Sequence, residues 1–361
     1  MDKKQYMQLA IQLAKATKGQ TSPNPAVGAV IVNNGEIVGI GTHLKAGEAH
    51  AEVHAIKMAG SKAEGATIYV TLEPCSHYGK TPPCASLIIE KKIKKVVIAT
   101  QDPNPIVSGK GIEMLTEAGV DVEIGLCQAE AEELNQEIFH FNRSQTPFVT
   151  LKTAMTLDGK IATLTGESKW ITGKKAREDV HHYRHTHDAI LVGVGTVLKD
   201  NPKLTTRLPE GGKNPIRIIL DRELQTPVNS YVIQDESTPT WLVIDKSVEN
   251  KQNARYNFQH VTFIEVSQPH HYPDLMQKLG ELGITSLFVE GGSRVNNRFL
   301  KSKLVDQYIF YIAPTVIGGS NAPTSFEGTG FQHLKDALKL QFESVEQIGE
   351  DLKIVAKPKV D

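Results

Sequence analysis

Two short segments of the chain carry residue types that can bind a metal ion and use it for chemistry. The first contains His50 and Glu52, and the second contains Cys75 and Cys84. One imidazole and two thiols are ligands that zinc prefers, and three protein ligands leave the fourth tetrahedral position open for water. The metal can bring the pKa of that water to about 7. Glu52 would then carry protons, so the pattern predicts a hydrolytic zinc centre.

Other interpretations of these residues stay open at this point. A structural zinc knuckle or a pair of buried thiols would also contain cysteines, although a structural site normally closes with four Cys or His ligands. His54, one helical turn after His50, is a rival ligand for the metal. We favour His50 because it stands two residues before Glu52, which completes the catalytic set.

The surrounding pattern alternates between helices and strands, as in an α/β domain. The sequence Asn-Asn-Gly at 33–35 predicts a hairpin turn, since Asn and Gly accept the positive φ that such turns require. Cys75 follows a strand at its carboxyl end, where open α/β sheets usually place ligands. Cys84 begins a helix, and a helix N-terminus favours a thiolate. The predicted elements are helices at 1–17, 50–58, from 84, at 109–118 and 129–141, and strands at 26–32, 36–41, 66–71, 95–100 and 120–124.

A second α/β pattern begins after a short linker at residues 143–147. A chain of 361 residues is longer than one hydrophobic core usually serves, so two domains are expected, at residues 1–146 and 147–361. The second domain needs a core of its own and is expected to carry its own activity. Its predicted strands lie at 148–152, 189–194, 216–220, 240–244, 286–290 and 307–312.

Composition and charge exclude several classes of protein. Hydrophobic residues make up 40% of the chain and charged residues 22%, an ordinary globular balance. The net charge is −1, so the chain lacks the positive field that binding a nucleic-acid backbone requires. Apolar runs are too short to span a membrane, and the N-terminal residues suit an amphipathic helix better than a signal peptide. We therefore expect neither a nucleic-acid partner nor a membrane.

Cysteine usage favours a reducing compartment. The chain has three cysteines, and with Cys75 and Cys84 assigned to a metal, Cys127 has no partner for a disulfide. We expect Cys127 to be a small, partly buried apolar residue, and we expect a cytoplasmic enzyme. The oligomeric state stays open, with a homo-oligomer as one alternative.

The metal-binding pattern also resembles a known family. The order H-x-E and then P-C is that of the zinc deaminases, but eight residues separate the two cysteines here, where nucleoside and nucleobase deaminases have two. The longer insert, with its His, Gly, Lys and Pro-Pro, resembles the pyrimidine deaminase domain of the bifunctional deaminase/reductase family of riboflavin biosynthesis. The resemblance implies a substrate pocket formed by Asn24, His77, Lys80, Asp102 and Asn104. Turn formation would equally explain the two residues of the 102–104 segment, and the lysine could simply be solvated.

The second half resembles the reductase domain of the same family, which has a dihydrofolate-reductase-like fold. The resemblance rests on four segments, at 155–160, 168–172, 200–207 and 289–292. A glycine-rich stretch at 193–198 begins like a dinucleotide fingerprint, but Leu198 replaces its third glycine, so we regard it as a weak signal. Glycines at 291 and 292 would let the backbone approach a phosphate closely.

The resemblance assigns residues of this half to a cofactor and a substrate. NADPH would contact Ala154, Trp170, Thr196, Asp200 and the turn from Gly292. Arg222 stands after a predicted strand, where some members of the family carry Ser or Thr, and we predict that it helps to hold the 2′-phosphate of the cofactor. The sugar-phosphate substrate would contact Ser168, Arg184, Leu204, Arg207 and Glu290. Taken alone, the tryptophan is as well explained by core packing, and each arginine by a surface ion pair. His181 and His185 have metal-ligand spacing, but no carboxylate or thiol completes a set, so no metal is expected there.

The sequence therefore predicts an α/β protein with a cytidine-deaminase-like α/β/α domain followed by a dihydrofolate-reductase-like α/β domain. The resemblance implies a bifunctional riboflavin-biosynthesis enzyme with Zn²⁺ and NADPH as cofactors. It would deaminate a diaminopyrimidinone ribose phosphate and then reduce its ribosyl group. A nucleic-acid-editing deaminase is disfavoured by the neutral charge and the long cysteine insert. A zinc-stabilised binding module is disfavoured by the open coordination position and by Glu52.

Overall fold

Two compact units, Met1–Gln145 and Thr146–Asp361, make up the chain, each with its own sheet and core. The computed structural model describes residues 1–77, 82–104, 108–248, 254–267 and 271–359. Lys80, a predicted pocket residue, lies outside the described residues.

In the described part of the first unit, five strands form one sheet in the order β2-β1-β3-β4-β5. The hairpin partner β2 and strand β3 are antiparallel to β1, whereas β3, β4 and β5 are parallel. Asn34 and Gly35 adopt positive φ in the predicted hairpin turn. The strands are β1 Gly28–Asn33, β2 Glu36–Thr42, β3 Thr67–Val70, β4 Lys95–Ile98 and β5 Asp121–Ile124.

Helices cover both faces of this sheet. Alternate residues of β1 enter different cores, since Ala29 and Ile31 pack with α2 and α3 while Val30 and Val32 pack with α1. This two-sided burial makes the unit a three-layer α/β/α structure. The helices are α1 Lys3–Lys15, α2 Ala51–Ala59, α3 Cys84–Glu90, α4 Lys110–Glu117, α5 Gln128–Leu134 and α6 Gln136–Ser144, with a 3₁₀ turn at Gly60–Ala63.

Helix α2, which follows His50, lies unusually close to strand β2. A Cβ atom at Gly41 would stand 2.1 Å from the carbonyl oxygen of Ala51, and one at Gly39 would stand 2.2 Å from that of Ala55. Real Cβ atoms do not come so close to backbone atoms, so the helix can rest on this strand only where side chains are missing.

The described part of the second unit forms a nine-stranded sheet in the order β10-β9-β8-β7-β11-β6-β12-β14-β13. The first seven strands of that order are parallel, and β14 and β13 continue the sheet as an antiparallel pair. The strands are β6 Phe148–Thr156, β7 Ala189–Gly193, β8 Ile216–Leu220, β9 Thr240–Asp245, β10 Val261–Val266, β11 Ser286–Val289, β12 Gln307–Ala313, β13 Leu340–Ile348 and β14 Asp351–Pro358.

Helices again cover two faces of the sheet. Leu191 of β7 packs into one core, and its neighbours Ile190 and Val192 pack into the other. The helices are α7 Lys174–Thr186, α8 Val194–Asp200, α9 Tyr231–Gln234, α10 Tyr272–Glu281 and α11 Ser293–Lys301, with 3₁₀ turns at Ala254–Tyr256 and Leu334–Asp336. No helix of the described residues is both long and apolar enough to cross a membrane.

The structure differs from the predicted elements in two respects. The helix expected at 129–141 is two helices, because the buried Asn135 interrupts it and its side chain bonds both the N–H and the C=O of Ala26. Strands β10, β13 and β14 were not predicted. The residues of β13 are mostly exposed, so this strand lacks the apolar signal of a buried one.

Candidate active sites

The ends of three secondary-structure elements bring together His50, Cys75 and Cys84. His50 is the N-cap of α2, Cys75 follows β3, and Cys84 is the first residue of α3. The ligand atoms of these side chains all lie within 4.8 Å of one another. The His50 Nδ1 atom is 3.3 Å from the Cys84 sulfur and 3.6 Å from the Cys75 sulfur. In the described part of the chain this is the one cluster of three such residues, and His54 is not in it.

These distances fit a zinc ion. Zn–S bonds of about 2.3 Å and Zn–N bonds of about 2.0 Å at a tetrahedral angle separate sulfur from nitrogen by roughly 3.5 Å. The two sulfur–nitrogen distances lie on either side of that value. Two sulfurs and one imidazole also form a donor set that binds zinc in preference to calcium or magnesium.

The polar groups of the cluster perturb one another. Hydrogen bonds from the Cys84 thiol and from His50 lower the pKa of the Cys75 thiol, which favours a thiolate at this sulfur. The backbone N–H of Cys84 also donates to this sulfur, at 3.3 Å. Glu52 is buried beside the cluster, and burial together with the charge of Cys75 raises its pKa to about 7. A carboxyl group with such a pKa can accept and release protons near neutral pH.

A cavity of about 520 Å³ opens onto Glu52, His50 and Cys75. Four of the five pocket residues expected from the resemblance line it, and the fifth, Lys80, lies outside the described residues. The four are Asn24, His77, Asp102 and Asn104.

The buried His43 also lines this cavity, although it was not among the residues predicted from the sequence. Its Nδ1 faces the carbonyl oxygen of Ala49 at 3.1 Å and must carry the proton, so its Nε2 accepts from the amide of Asn24 at 3.2 Å. Burial lowers the pKa of His43, which favours this neutral form. A polar residue directly after an apolar strand was the available signal.

In the second unit, Glu290 is the centre of an ion-pair cluster. Its carboxylate accepts from Arg184 Nε at 2.7 Å and lies 3.3 Å from Lys152 Nζ. Burial alone would raise the pKa of Glu290, but the charges of Arg184 and Lys152 lower it to about 2. Lys152 was also missed, although a lysine inside a buried strand signals a partner.

A cavity of about 230 Å³ surrounds this cluster. Ala154, Ser168, Trp170 and Arg207 line it together with the three ion-pair residues. The Arg184 guanidinium also donates to the carbonyl oxygen of Thr205, so it is held by protein groups. No described carboxylate lies within ion-pair distance of Arg207, which leaves this guanidinium as the better partner for a phosphate.

Trp170 is 69% exposed and does not pack in the core. The guanidinium of Arg177 lies 4.6 Å from the centre of its ring. A tryptophan that rests on an arginine keeps its other face available for a flat ligand ring.

Arg222 lines a different cavity of about 330 Å³, at the carboxyl ends of β7, β8 and β9. Two further arginines, Arg294 and Arg298 of α11, line the same cavity and were not predicted from the sequence. Arg222 is exposed and forms an ion pair with the adjacent Glu223. Asp221 and Glu223 line the cavity as well, so three guanidinium groups face two carboxylates, and the excess of positive charge favours an anionic ligand.

The remaining predicted reductase residues line neither of these two cavities. Thr196 is on α8, Asp200 ends that helix, and Gly292 is the N-cap of α11. A Cβ at Gly292 would meet nothing within 4 Å, so this position is open. Leu204 has a φ of +54° and a buried side chain in a hydrophobic cluster, so its backbone would have to make any ligand contact.

Two histidines of α7, His181 and His185, accept hydrogen bonds from protein groups. The Nδ1 atoms of His181 and His185 accept from the backbone N–H groups of Arg207 and Lys213. These bonds hold the segment that carries Arg207 and give both histidines a structural role.

Comparisons with known proteins agree on one family. The family model described as "RibD C-terminal domain" matches residues 147–354, and the "Cytidine and deoxycytidylate deaminase zinc-binding region" matches residues 1–100. Riboflavin biosynthesis protein RibD of Bacillus amyloliquefaciens is 52% identical over 98% of this chain and 96% of the relative. The RibD protein of Aquifex aeolicus is 47% identical over 98% of both chains.

Solved structures give the same result. Acinetobacter baumannii RibD superposes with a TM-score of 0.89 at 37% identity, over 99% of this chain and 98% of the other. A deaminase/reductase of Thermotoga maritima has the same TM-score at 39% identity and the same coverage. The expected order of a cytidine-deaminase-like domain and a reductase domain is confirmed. The chain therefore belongs to the RibD family of bifunctional deaminase/reductase enzymes of riboflavin biosynthesis, which use zinc and NADPH.

Proposed function

We propose that the chain carries out two successive steps on one pyrimidine ribose phosphate. The first unit would hydrolyse the 2-amino group of 2,5-diamino-6-(5-phosphoribosylamino)pyrimidin-4(3H)-one. The second unit would use NADPH to reduce the ribosyl group, giving 5-amino-6-(5-phosphoribitylamino)uracil. The observation that carries the proposal is the cluster of His50, Cys75 and Cys84 beside Glu52 in a cavity of about 520 Å³. The name of the Thermotoga maritima relative, which specifies this deaminase and this reductase, supports it.

In the deaminase step, His50, Cys75 and Cys84 would hold the zinc ion. When bound, zinc activates a water molecule for attack at neutral pH. Glu52 is buried beside the ligands without being one of them, so it is positioned to take a proton from the water. The same carboxyl group would deliver that proton to the amino group, which leaves as ammonia.

The walls of the deaminase cavity would hold the pyrimidine. Asn24 is fixed by its bond to His43, and His77, Asp102 and Asn104 supply further polar groups. Such side chains can recognise the exchangeable hydrogens and carbonyl of a pyrimidine by hydrogen bonds.

In the reductase step, bound NADPH would supply a hydride to C1′ of the opened, imine-like sugar, and water would supply the proton that the imine nitrogen takes up. Lys152 and Arg184 keep Glu290 ionised and fixed, so its carboxylate can accept hydrogen bonds from sugar hydroxyl groups. Arg207 would bind the phosphate, and Ser168 lines the same cavity. Trp170 would stack on a flat ring of the cofactor, with Arg177 supporting its other face.

The cofactor would extend along the carboxyl ends of the parallel strands, with Ala154, Thr196, Asp200 and the turn from Gly292 as contacts. Its 2′-phosphate would be held by Arg222. The cavity that this residue shares with Arg294 and Arg298 gives the phosphate several cationic partners.

A two-part assay tests the proposal. Purified protein is incubated with the diaminopyrimidinone phosphate, and ammonia is measured with and without NADPH. We expect ammonia in both cases and NADPH oxidation only after deamination. Release of ammonia from a nucleic acid instead would favour an editing deaminase, and zinc binding without either reaction would favour a binding module.

The proposed location is the cytoplasm. The three cysteines are free thiols, and the zinc ligands among them need a reducing environment to remain thiols. An oxidised, zinc-free protein isolated from its native cells would contradict this location.

A further inference from the structure

The carboxylate of Glu73 is buried and lies two residues before the ligand Cys75. Its oxygens accept four backbone N–H groups of the described residues. Oε2 accepts from Asp102 at 3.3 Å and from Gly109 at 3.0 Å. Oε1 accepts from Gly111 at 2.9 Å and from Ile112 at 3.3 Å. An ionised carboxylate offers about four lone-pair sites, so these amides occupy nearly all of its accepting capacity.

The four amides belong to two different parts of the structure. Asp102 begins the segment that lines the deaminase cavity, while Gly111 and Ile112 are in the first turn of α4. The N-cap of this helix, Gly109, has no side chain, so Glu73 accepts the helix amides that a capping residue would otherwise accept. The negative charge also suits the positive end of the helix.

Close packing makes this arrangement rigid. A Cβ at Gly111 would lie 2.0 Å from the carbonyl oxygen of Pro74 and 3.2 Å from Glu73 Oε1. The backbone N–H of Glu73 donates to the carbonyl oxygen of Thr100 at 3.0 Å, which ties the same turn to the end of β4. The turn that carries Cys75 is therefore held to both ends of the segment that carries Asp102.

Asp102 in turn fixes the backbone of Asn104. Its Oδ1 accepts from the backbone N–H of Asn104 at 2.8 Å, so the two side chains on the cavity wall are fixed together. The buried Glu73 carboxylate thus connects the cavity wall, by hydrogen bonds, to the turn that carries the proposed zinc ligand Cys75.

We propose that Glu73 is the positioning residue of the deaminase pocket. It sets the distance between the substrate-binding wall at Asp102 and Asn104 and the metal ligand Cys75, and it takes no part in the chemistry. This inference rests on the proposed deaminase function. Because the wall would bind the substrate equally in the ground state and in the transition state, its displacement raises KM and changes kcat little.

The test is Glu73→Gln in the full chain. The amide keeps the size of the side chain, but its NH₂ group must face two N–H donors, so two of the four hydrogen bonds are lost. We expect the deaminase KM to rise at least tenfold, while kcat stays within threefold and zinc stays at the wild-type content. Hydrogen exchange measured by mass spectrometry should become faster in peptides that contain Gly109, Gly111 and Ile112.

Glu113→Gln is the matched control, because Glu113 is an exposed acid in the first turn of the same helix. This variant removes the same charge and leaves the hydrogen bonds of Glu73 intact. Its deaminase KM and its hydrogen-exchange rates should remain within twofold of wild type. Gly111→Ala is a second variant that keeps Glu73 and forces the helix away from Pro74, and it should raise KM in the same way. It tests the proposal even where Glu73→Gln is insoluble.

Three outcomes would overturn the proposal. A lower kcat at unchanged KM would mean that Glu73 only stabilises the fold. Loss of zinc from Glu73→Gln would mean that the carboxylate supports the metal ligands. Unchanged KM and unchanged exchange would mean that the wall is positioned by other contacts. Failure of the proposed function looks different, since wild-type protein loaded with zinc would then release no ammonia, and the exchange comparison would still test the position of α4.

Discussion

The two units build their sites in opposite ways. In the deaminase unit the proposed metal ligands come from residues 50–84 and stand at the ends of elements that adjoin one another. In the reductase unit Glu290 is paired with Lys152 and Arg184, which are 138 and 106 residues away in sequence. A metal ion needs its ligands at fixed short distances, and here they come from a short stretch of sequence that forms a compact motif. Binding of a cofactor and a sugar phosphate needs charges spread over a larger surface.

The buried charges that support the two sites are also of opposite sign. Glu73 is an anion that gathers backbone N–H groups around the deaminase cavity. Arg217 of β8 is a fully buried cation that donates to the carbonyl oxygens of Lys203 and Asp235 and is paired with the carboxylate of Asp235. Each buried charge is accompanied by several hydrogen bonds, which is the condition for stability in a protein interior. In both units a loop near the site is held by a charge that has no chemical role.

The largest expected effect is the loss of one activity with the other unchanged. Cys84→Ala removes one of the three proposed zinc ligands, so we expect loss of zinc and of all measurable deamination, with the reductase rate unchanged. Zinc content by elemental analysis and the two separate assays measure this. Cys127→Ser is the matched control and should keep its zinc. Full zinc content in the Cys84 variant would sink the ligand assignment.

The next largest effect is expected from a variant that lacks the proton carrier of the first unit and still binds zinc. Glu52→Gln retains the shape of the side chain but cannot accept a proton. We expect deaminase kcat to fall by about 10² to 10⁴, the usual range for general acid–base catalysis. Zinc should remain at one ion per chain. Glu117→Gln, an exposed acid at the end of α4, should have normal activity, and normal turnover in the Glu52 variant would rule out the proposed role.

A smaller effect is expected in the second unit, where binding is shared among several groups. Arg207→Ala removes a guanidinium from the reductase cavity. Loss of one charged partner costs roughly 1.5 to 3 kcal/mol, so reductase kcat/KM should fall about ten- to hundredfold. Ammonia release should not change, and Arg143→Ala in the first unit should affect neither rate. If Arg207→Ala abolished both activities in a folded, zinc-loaded protein, the model of two independent sites would be wrong.

The smallest effect concerns stability and pH. The pKa of Glu290 is lowered to about 2 in the folded state, from an ordinary value of 4.5. Its ionised form therefore stabilises the fold fully above about pH 4.5, and this contribution is lost as pH falls towards 2. Between pH 6 and pH 4 the wild type should lose about 1 kcal/mol more unfolding free energy than Glu290→Gln.

Urea unfolding followed by tryptophan fluorescence measures this difference. Both tryptophans of the chain, Trp170 and Trp241, are in the second unit, so the signal reports on that unit alone. Equal pH dependence in the two proteins would show that Glu290 is not held as an ionised partner of Lys152 and Arg184.

How much of each site could be predicted from the sequence follows from the same contrast. His50, Glu52, Cys75 and Cys84 could be predicted as one group because their types and spacing already indicate the chemistry, and the structure brings His50, Cys75 and Cys84 together. The role of Glu73 could not, although it stands in the same motif, because its partners are backbone amides 29 to 39 residues away. Backbone groups have no sequence signature. Lys152 was missed because its partners are distant in sequence.

The fold shows a similar limit. Periodicity predicted most of the buried strands of both sheets because they are continuous apolar runs, but it missed the partly buried β14. It failed at Asn135, where a helical pattern continues through a residue whose side chain bonds to Ala26, 109 positions earlier. It also failed at β13, whose exposed residues are held by pairing with β14 and not by burial. Tertiary contacts decide such elements, and local pattern does not report them.

The close seating of α2 on β2 has a consequence for mutational tolerance. Gly39 and Gly41 have no side chain that could take part in the chemistry, yet any side chain there would displace the helix that follows His50 and carries Glu52. A saturation scan selected for deaminase activity would therefore reject substitutions at Gly41 as strongly as at the zinc ligands. The same scan selected for reductase activity would accept them, because the second unit has a core of its own. At Gly39 and Gly41 the effect of a substitution is thus determined by the absence of room for a side chain between β2 and α2.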